Sequence, residues 1–367
     1  MGFYQAFEDE VKRGLEGKQS WIPVIHKKLN DNIVYGKNMY WLFGGMPGSG
    51  KTSIVDSTFV LEPYIWWKNN RHKTNINPFW IYRSMERKVS HKIAKWTAYL
   101  MFVDHGIIID VPTLLSWPNK KRELSNKEKE LIEEYRIFFD EMLERVIIFD
   151  GSTNPTGIYN DIVRFMESKG TYRQVDDYNR VYVPNNDNDI VFHVTDHVGL
   201  ISAETGATSD KQILDKHSSY MVRARDRYGI TPIDICQLNR NIEDTYRLNT
   251  TDVDVKPSDF AGSSDMYQNC DVAIGLMNPY KLKVFEYGGY DIPRFISKNG
   301  ENRYRSLKII KNSFGIDDIV VSFLFYGENG AMVQLPKSEK LSYDKLINGN
   351  YTEEFFEWRH KYPQKLN

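Results

Sequence analysis

The stretch Gly44-Gly45-Met46-Pro47-Gly48-Ser49-Gly50-Lys51-Thr52-Ser53 constrains this chain more than any other. Before it runs Asn38-Met39-Tyr40-Trp41-Leu42-Phe43, apolar and aromatic in the manner of a strand; after it, Ile54-Val55 lead into a helical pattern. Strand, glycine loop and helix, in that order, is the setting in which G-x-x-x-x-G-K-[ST] holds phosphate. Glycines free the backbone N–H groups to face phosphate oxygens at a helix N-terminus, where the dipole favours negative charge. On this reading Gly45, Met46, Pro47, Gly48, Ser49, Gly50, Lys51, Thr52 and Ser53 cradle a nucleoside triphosphate. Lys51 reaches the β and γ phosphates, and Thr52 ligates Mg²⁺. A glycine turn that bound nothing would have no reason to carry lysine and threonine in that register.

Strand-type runs at 38–43, 78–83, 145–149, 189–195, 230–236 and 270–277 alternate with helical segments near 86–104, 126–143, 156–169 and 209–228. Such alternation predicts an α/β fold, a largely parallel sheet flanked by helices. The polar, turn-rich run 171–188 reads as a hairpin insertion. After 305 the runs SLKIIKN, DIVVSFLFYG and AMVQLP follow closely, a small antiparallel extension. At the other end, Phe3, Phe7, Val11 and Leu15 recur every four positions, a narrow apolar stripe on a helix. Its partner is the chain's own core or a neighbouring subunit. The economical division is an N-terminal helix and linker over 1–34, one domain over 35–340, and a tail over 341–367.

Net charge is −1, which excludes a protein that is basic all over, so any nucleic-acid binding must be local. No run of 18 apolar residues occurs, so no membrane span is expected. The cysteines, Cys236 and Cys270, lie in apolar stretches without metal-ligand spacing, which suits a reducing cytoplasm.

A triphosphate-hydrolysing site needs an aspartate for Mg²⁺ at a strand end and a carboxylate to polarise water. Val146-Ile147-Ile148-Phe149-Asp150 has the cleaner apolar run, and Ile190 to Asp196 is interrupted by polar residues. Pattern alone favours Asp150. No glutamate follows either aspartate, since Gly151 and His197 stand there. Glu86, behind the apolar run Phe79-Trp80-Ile81-Tyr82-Arg83-Ser84-Met85, is the alternative water-activating group.

These residues, in this order, resemble the RecA-fold ATPase domain of DnaB-like replicative helicases, phage versions especially. Ser84-Met85-Glu86 is similar to the family's strand-end Ser-Leu-Glu-Met, whose glutamate activates water. Asp189-Ile190-Val191 through Asp196-His197-Val198-Gly199-Leu200 resembles its D-x-I-V-I-D-Y-L-x-L, which selects Asp196 over Asp150 as the Mg²⁺ aspartate. Cys236-Gln237-Leu238-Asn239-Arg240 resembles S-Q-L-N-R, whose glutamine senses the γ-phosphate near DNA. Residues 259–273 resemble a further family stretch, and the likeness spans roughly 35–335. It implies ATP and Mg²⁺ as cofactors, a homohexameric ring, single-stranded DNA as track, and primase or other replication proteins as partners.

The resemblance also implies a catalytic set of Lys51, Glu86, Gln237 and Lys311, with Thr52 and Asp196 on the metal. Lys311 belongs to Lys311-Asn312-Ser313-Phe314-Gly315, which departs from the family's K-N-R-F-G by placing serine where the arginine finger is expected. Arg303 and Arg305 are the nearby candidates to replace it. The expected DNA contacts lie on the loops 202–209 and 241–260, with Thr205, Gly206, Arg240, Arg247 and Lys256 foremost. A recombination or regulatory ATPase of the RadA or KaiC kind, and an ATP-binding scaffold of low turnover, are the rival readings.

Overall fold

Strand β1 (Trp41–Gly45) is buried along its whole length, and its alternating side chains sort the molecule into layers. Trp41 and Phe43 join one apolar cluster, whereas Leu42 joins another on the opposite face. The computed structural model describes residues 3–18, 20–204, 206, 209–250 and 253–362.

The strands in chain order are β1, β2 (Asn77–Ser84), β3 (Val146–Asp150), β4 (Gly170–Gln174), β5 (Arg180–Pro184), β6 (Asp189–Asp196), β7 (Thr231–Gln237), β8 (Val272–Met277), β9 (Glu286–Tyr287), β10 (Tyr290–Asp291), β11 (Tyr304–Asn312), β12 (Ile319–Tyr326) and β13 (Ala331–Gln334). One 9-stranded sheet runs β13-β12-β11-β8-β1-β7-β6-β2-β3. From β8 to β3 every neighbouring pair is parallel. The strands β11, β12 and β13 pair antiparallel and extend the same sheet past β8. The predicted α/β architecture is therefore the observed one, and the antiparallel extension continues the main sheet.

The longer helices are α1 (Phe3–Leu15), α2 (51–70), α3 (Val89–His105), α4 (Asn126–Leu143), α5 (Pro155–Lys169), α6 (Asp210–Tyr228) and α7 (Asn350–Lys361). Helix α2 opens as an α-helix at Lys51 and widens into a π-helical turn over Val55–Leu61. Such turns are rare and frequent at functional sites. Trp41, Phe43, Trp80 and Phe192 of the sheet pack with Phe59 of α2, Trp96 of α3, Phe139 of α4 and Phe355 of α7. On the other face Leu42, Ile81 and Val191 meet Ile158 and Ile162 of α5 and Met221 and Ala224 of α6.

Both ends of the chain enter the first of these cores, through Ile22, Val24 and Leu29 and through Tyr351, Phe355 and Tyr362. Arg359 of α7 is buried, and its guanidinium donates to Glu62 (2.7 Å) and Asp104 (2.6 Å). Residues 22–33 and 351–362 thus pack against the rest of the chain. Strands β4 and β5 form the expected hairpin, seated by Tyr182 against Tyr228 of α6 at 5.1 Å between rings. The stripe on α1 behaves differently: Phe7, Val11 and Leu15 are exposed, so the chain's own core is not their partner.

Candidate nucleotide-binding site

Ligands of open parallel sheets gather beyond the C-terminal ends of the strands, and the chemistry-bearing residues stand there. Strand β1 delivers the glycine loop, and next to it Gln237 ends β7 in register with Gly45. Beyond β7, Asp196 ends β6, paired with Ile235 on one side and Ser84 on the other. Glu86 follows β2 by a short turn in which the Ser84 hydroxyl donates to the Arg87 carbonyl at 2.6 Å. Four adjacent strands therefore bring together residues scattered from 45 to 237. A cavity of about 270 Å³ opens there, lined by residues that include Lys51, Thr52, Glu86, His197 and Gln237.

The loop is shaped to hold something at its centre. Gly50 has φ 97°, a left-handed conformation that side chains resist, and it opens α2 as its N-cap. A Cβ on Gly45 would lie 2.7 Å from the Ser49 hydroxyl and 2.8 Å from the Leu276 carbonyl, so only glycine fits. Ser49 Oγ is buried and, among the described residues, has no hydrogen-bond partner. An orphaned hydroxyl beside a glycine cradle fits an anionic ligand. Lys51 Nζ lies folded onto the Met46 carbonyl at 3.1 Å. Burial pulls its ammonium below the usual lysine range, partly offset by the neighbouring Cys236, Glu86 and Asp196.

Thr52 Oγ1 donates to Asp196 Oδ1 at 2.9 Å. A hydroxyl and a carboxylate set side by side are hard oxygen donors of the kind Mg²⁺ takes, so the residues present fit that ion. Among the described residues, no cluster of three or more His, Cys, Asp or Glu side chains forms a metal cage. A Mg²⁺ site that relies on one protein carboxylate, water and substrate phosphates needs none. Asp150, the aspartate favoured by pattern alone, ends the edge strand β3 and is exposed, and its Oδ2 lies 3.4 Å from the Val89 amide at the start of α3.

Three further residues at this place escaped the sequence reading. Lys92 of α3 is buried and donates to Asp196 Oδ2 at 3.1 Å, to Asp56 Oδ2 at 3.2 Å and to the Tyr82 hydroxyl at 2.6 Å. The Tyr82 hydroxyl in turn donates to Asp56 Oδ1 at 2.7 Å and approaches Asp196 Oδ2 at 3.0 Å. Burial pushes the Asp196 carboxyl up, but the Lys92 charge and the bonds from Thr52, Lys92 and Tyr82 hold it below its usual range. Burial dominates at Asp56 and raises it. The only sequence signal is that Asp56 follows Thr52 by one helical turn; nothing marks Lys92 among its charged neighbours.

Lys311 stands elsewhere. It pairs with Ala273 of β8, level with Leu42 near the start of β1, at the end of the sheet away from the cavity. Its ammonium donates to the carbonyls of Tyr267 (3.2 Å) and Gln268 (2.9 Å). Ser313 and Phe314 beyond it are exposed. Neither suggested replacement for the finger is loose, since Arg303 pairs with Glu328 at 3.0 Å and Arg305 is buried with its Nε on the Ser49 carbonyl at 3.2 Å. Of the expected DNA contacts, Gly206 forms an exposed turn at φ 91° and Arg240 opens the 3-10 turn Arg240–Glu243. Arg247 clamps its own loop through Asp259 and the Asp254 carbonyl, both at 2.5 Å. The Lys256 amide donates to Asp259 Oδ2 at 2.8 Å. Thr205 lies outside the described residues.

No protein-family profile matches the sequence, and no curated protein matches it either. Solved structures do. One of them, an isolated ATPase domain, superposes with a TM-score of 0.62 at 15% identity, covering 92% of this chain and 100% of that one. A DnaB-like replicative helicase, studied with its primase interactions, superposes at 0.63 and 16% identity, covering 92% of this chain and 67% of that one. The chain has their fold. At such identity the likeness extends to RecA-type architecture alone, and chemistry has to be argued from the site. Among the described residues, no helix is long and apolar enough to cross a membrane.

Proposed function

We propose that this chain is an ATP-driven DNA helicase that assembles as a ring, moves along single-stranded DNA and separates duplex during replication. The observation that carries this reading is the 2.9 Å contact of Thr52 with Asp196 at the foot of the glycine loop, with Glu86 lining the same cavity. Lys51 leaves the Met46 carbonyl to take the β and γ phosphates, and the loop amides hold their oxygens. Glu86, exposed to the cavity, accepts the proton of the attacking water. Mg²⁺, held by Thr52 and Asp196, would neutralise charge on the phosphates. Gln237, beside Gly45, senses the γ-phosphate and passes its presence to the loop beyond β7.

Lys311 cannot serve its own site from the far end of the sheet, so it acts at that of a neighbouring copy. The exposed stripe of α1 would dock on such a neighbour. Because the similar helicase was studied with primase, a primase or other replication protein is the partner expected here. Ser313, with Arg303 and Arg305 both engaged, favours slow turnover and keeps a second reading, an ATP-binding scaffold, in view. A forked DNA duplex with one labelled strand separates the two. The motor displaces that strand with ATP but not with a non-hydrolysable analogue, and a scaffold displaces it with neither.

A further inference from the structure

The face of the sheet covered by α5 and α6 carries a line of cations for which the nucleotide site has no use. Arg223, Arg225 and Arg227 spread around α6, but Arg225 turns away to Asp271 at 2.8 Å. Lys216, Tyr220, Arg223 and Arg227 recur at helical spacing along one side. Lys216 and Arg223 lie 5.7 and 5.6 Å from the Tyr220 ring, which stacks on Tyr159 of α5 at 4.8 Å. Where α6 ends, the hairpin takes over: the Tyr172 ring lies 4.3 Å from the guanidinium of Arg180 and 5.1 Å from that of Arg227.

Arg173, Arg180, Arg223 and Arg227 are all exposed, and among the described residues none has a carboxylate or hydrogen-bond partner for its side chain. Nearby acids are mostly engaged: Glu204 by Lys216, Asp226 by Arg225, Asp161 by Arg83 and Arg164, Asp176 by Asn179. Glu167 and Asp177 remain as exposed acids. Ring faces therefore orient three guanidinium groups and leave their N–H edges unsatisfied, the arrangement that suits a phosphate.

We propose that this line is a second contact track for single-stranded nucleic acid, gripped through its phosphodiester backbone and distinct from the loops beyond β6 and β7. The track starts where α6 follows the 202–209 loop and runs to the β4–β5 hairpin. Helix α6 packs beside α5 and the hairpin, and the backbone of a flexible single strand follows such a line of cations readily. The track goes beyond the motor reading and does not depend on nucleotide turnover.

Fluorescence anisotropy of a labelled oligothymidine of about 20 nucleotides, titrated with the full chain over a salt series, tests it. Arg223→Glu with Arg227→Glu, and separately Arg180→Glu, should weaken binding about tenfold and lower the salt slope by about 0.7 for each lost contact. The glutamine versions should do so less strongly, and all should keep the parent's melting midpoint. Because Cys236 and Cys270 are buried, Tyr178→Cys on the exposed hairpin can carry a tethered iron chelate selectively. That probe should cut the bound oligonucleotide. Unchanged affinity and slope in every variant, no cutting, equal weakening toward a duplex, or equal competition by polyglutamate would each overturn the track. A failure of the motor reading would appear instead as absent phosphate release.

Discussion

Asp196 is buried at the end of its strand, and its charge survives because Lys92, Thr52 and Tyr82 surround it. Removing that charge while keeping its shape should strike the reaction at its centre. Asp196→Asn should lower Mg²⁺-dependent turnover by about 100-fold, the upper range for lost partners at metal sites. Asp150→Asn, altered at an exposed sheet edge, should stay within about threefold of the parent, under 1 kcal/mol. Steady-state phosphate release ranks the two, and the reverse order would return the metal to Asp150. Thr52 and Glu86 stand out in the sequence through a loop motif and a strand end, whereas strand pattern alone points to Asp150 and only the family resemblance selects Asp196. Lys92 and Asp56 do not stand out, because a buried ion pair leaves no periodic trace: each residue type is ordinary on a solvated helix face.

Helix α4 shows how a short sequence signature fixes an element. Ser125 Oγ accepts from the Glu128 amide at 3.3 Å, and Glu128 Oε2 accepts from the Ser125 amide at 2.8 Å, a reciprocal cap. Arg122 adds a charge-assisted bond at 2.8 Å, and these contacts hold the Glu128 carboxyl down at about 2. A folded value below the unfolded one means the contribution is complete above the unfolded value and fades as pH falls toward 2. Glu128→Gln should therefore lower the urea midpoint at neutral pH and converge on the parent in acid. Equal differences at pH 6 and pH 2, approximate ends of that window, would show that the carboxylate is not the cause. Strands and long helices were readable from their periods, as the parallel runs from β1 to β8 attest. Helix α7 was not, because Tyr351, Phe355 and Arg359 make a narrow stripe whose last member is charged and whose partners, Glu62 and Asp104, lie far away in the chain.

For the whole molecule, the decisive fact is that the sheet has two ends with different equipment. Lys51, Thr52, Glu86, Asp196 and Gln237 share one end, and Lys311 with the exposed 313–318 loop occupies the other. Ring assembly would bring the second end of one copy to the first end of the next. Lys311→Ala should then reduce turnover with little loss of ATP affinity, because the charge acts on the transition state. Mixing Lys311→Ala subunits with Glu86→Gln subunits should recover activity that neither has alone. Ser313→Arg should raise turnover. A chain that sediments as a monomer with ATP and DNA would refute action across subunits. The sequence order of motifs made the architecture legible, but the proposed assembly would lie in surfaces whose partner is another copy.

Phosphate release by the parent and by Glu86→Gln, each with and without oligothymidine, tests the central claim most directly. The parent should turn over ATP, and faster with the oligonucleotide. Glu86→Gln should bind ATP as the parent does yet release phosphate about 100-fold more slowly, since an amide cannot accept the water proton. A parent that releases none with Mg²⁺, ATP and oligonucleotide, or a Glu86→Gln variant that keeps the parent's rate, would contradict the account.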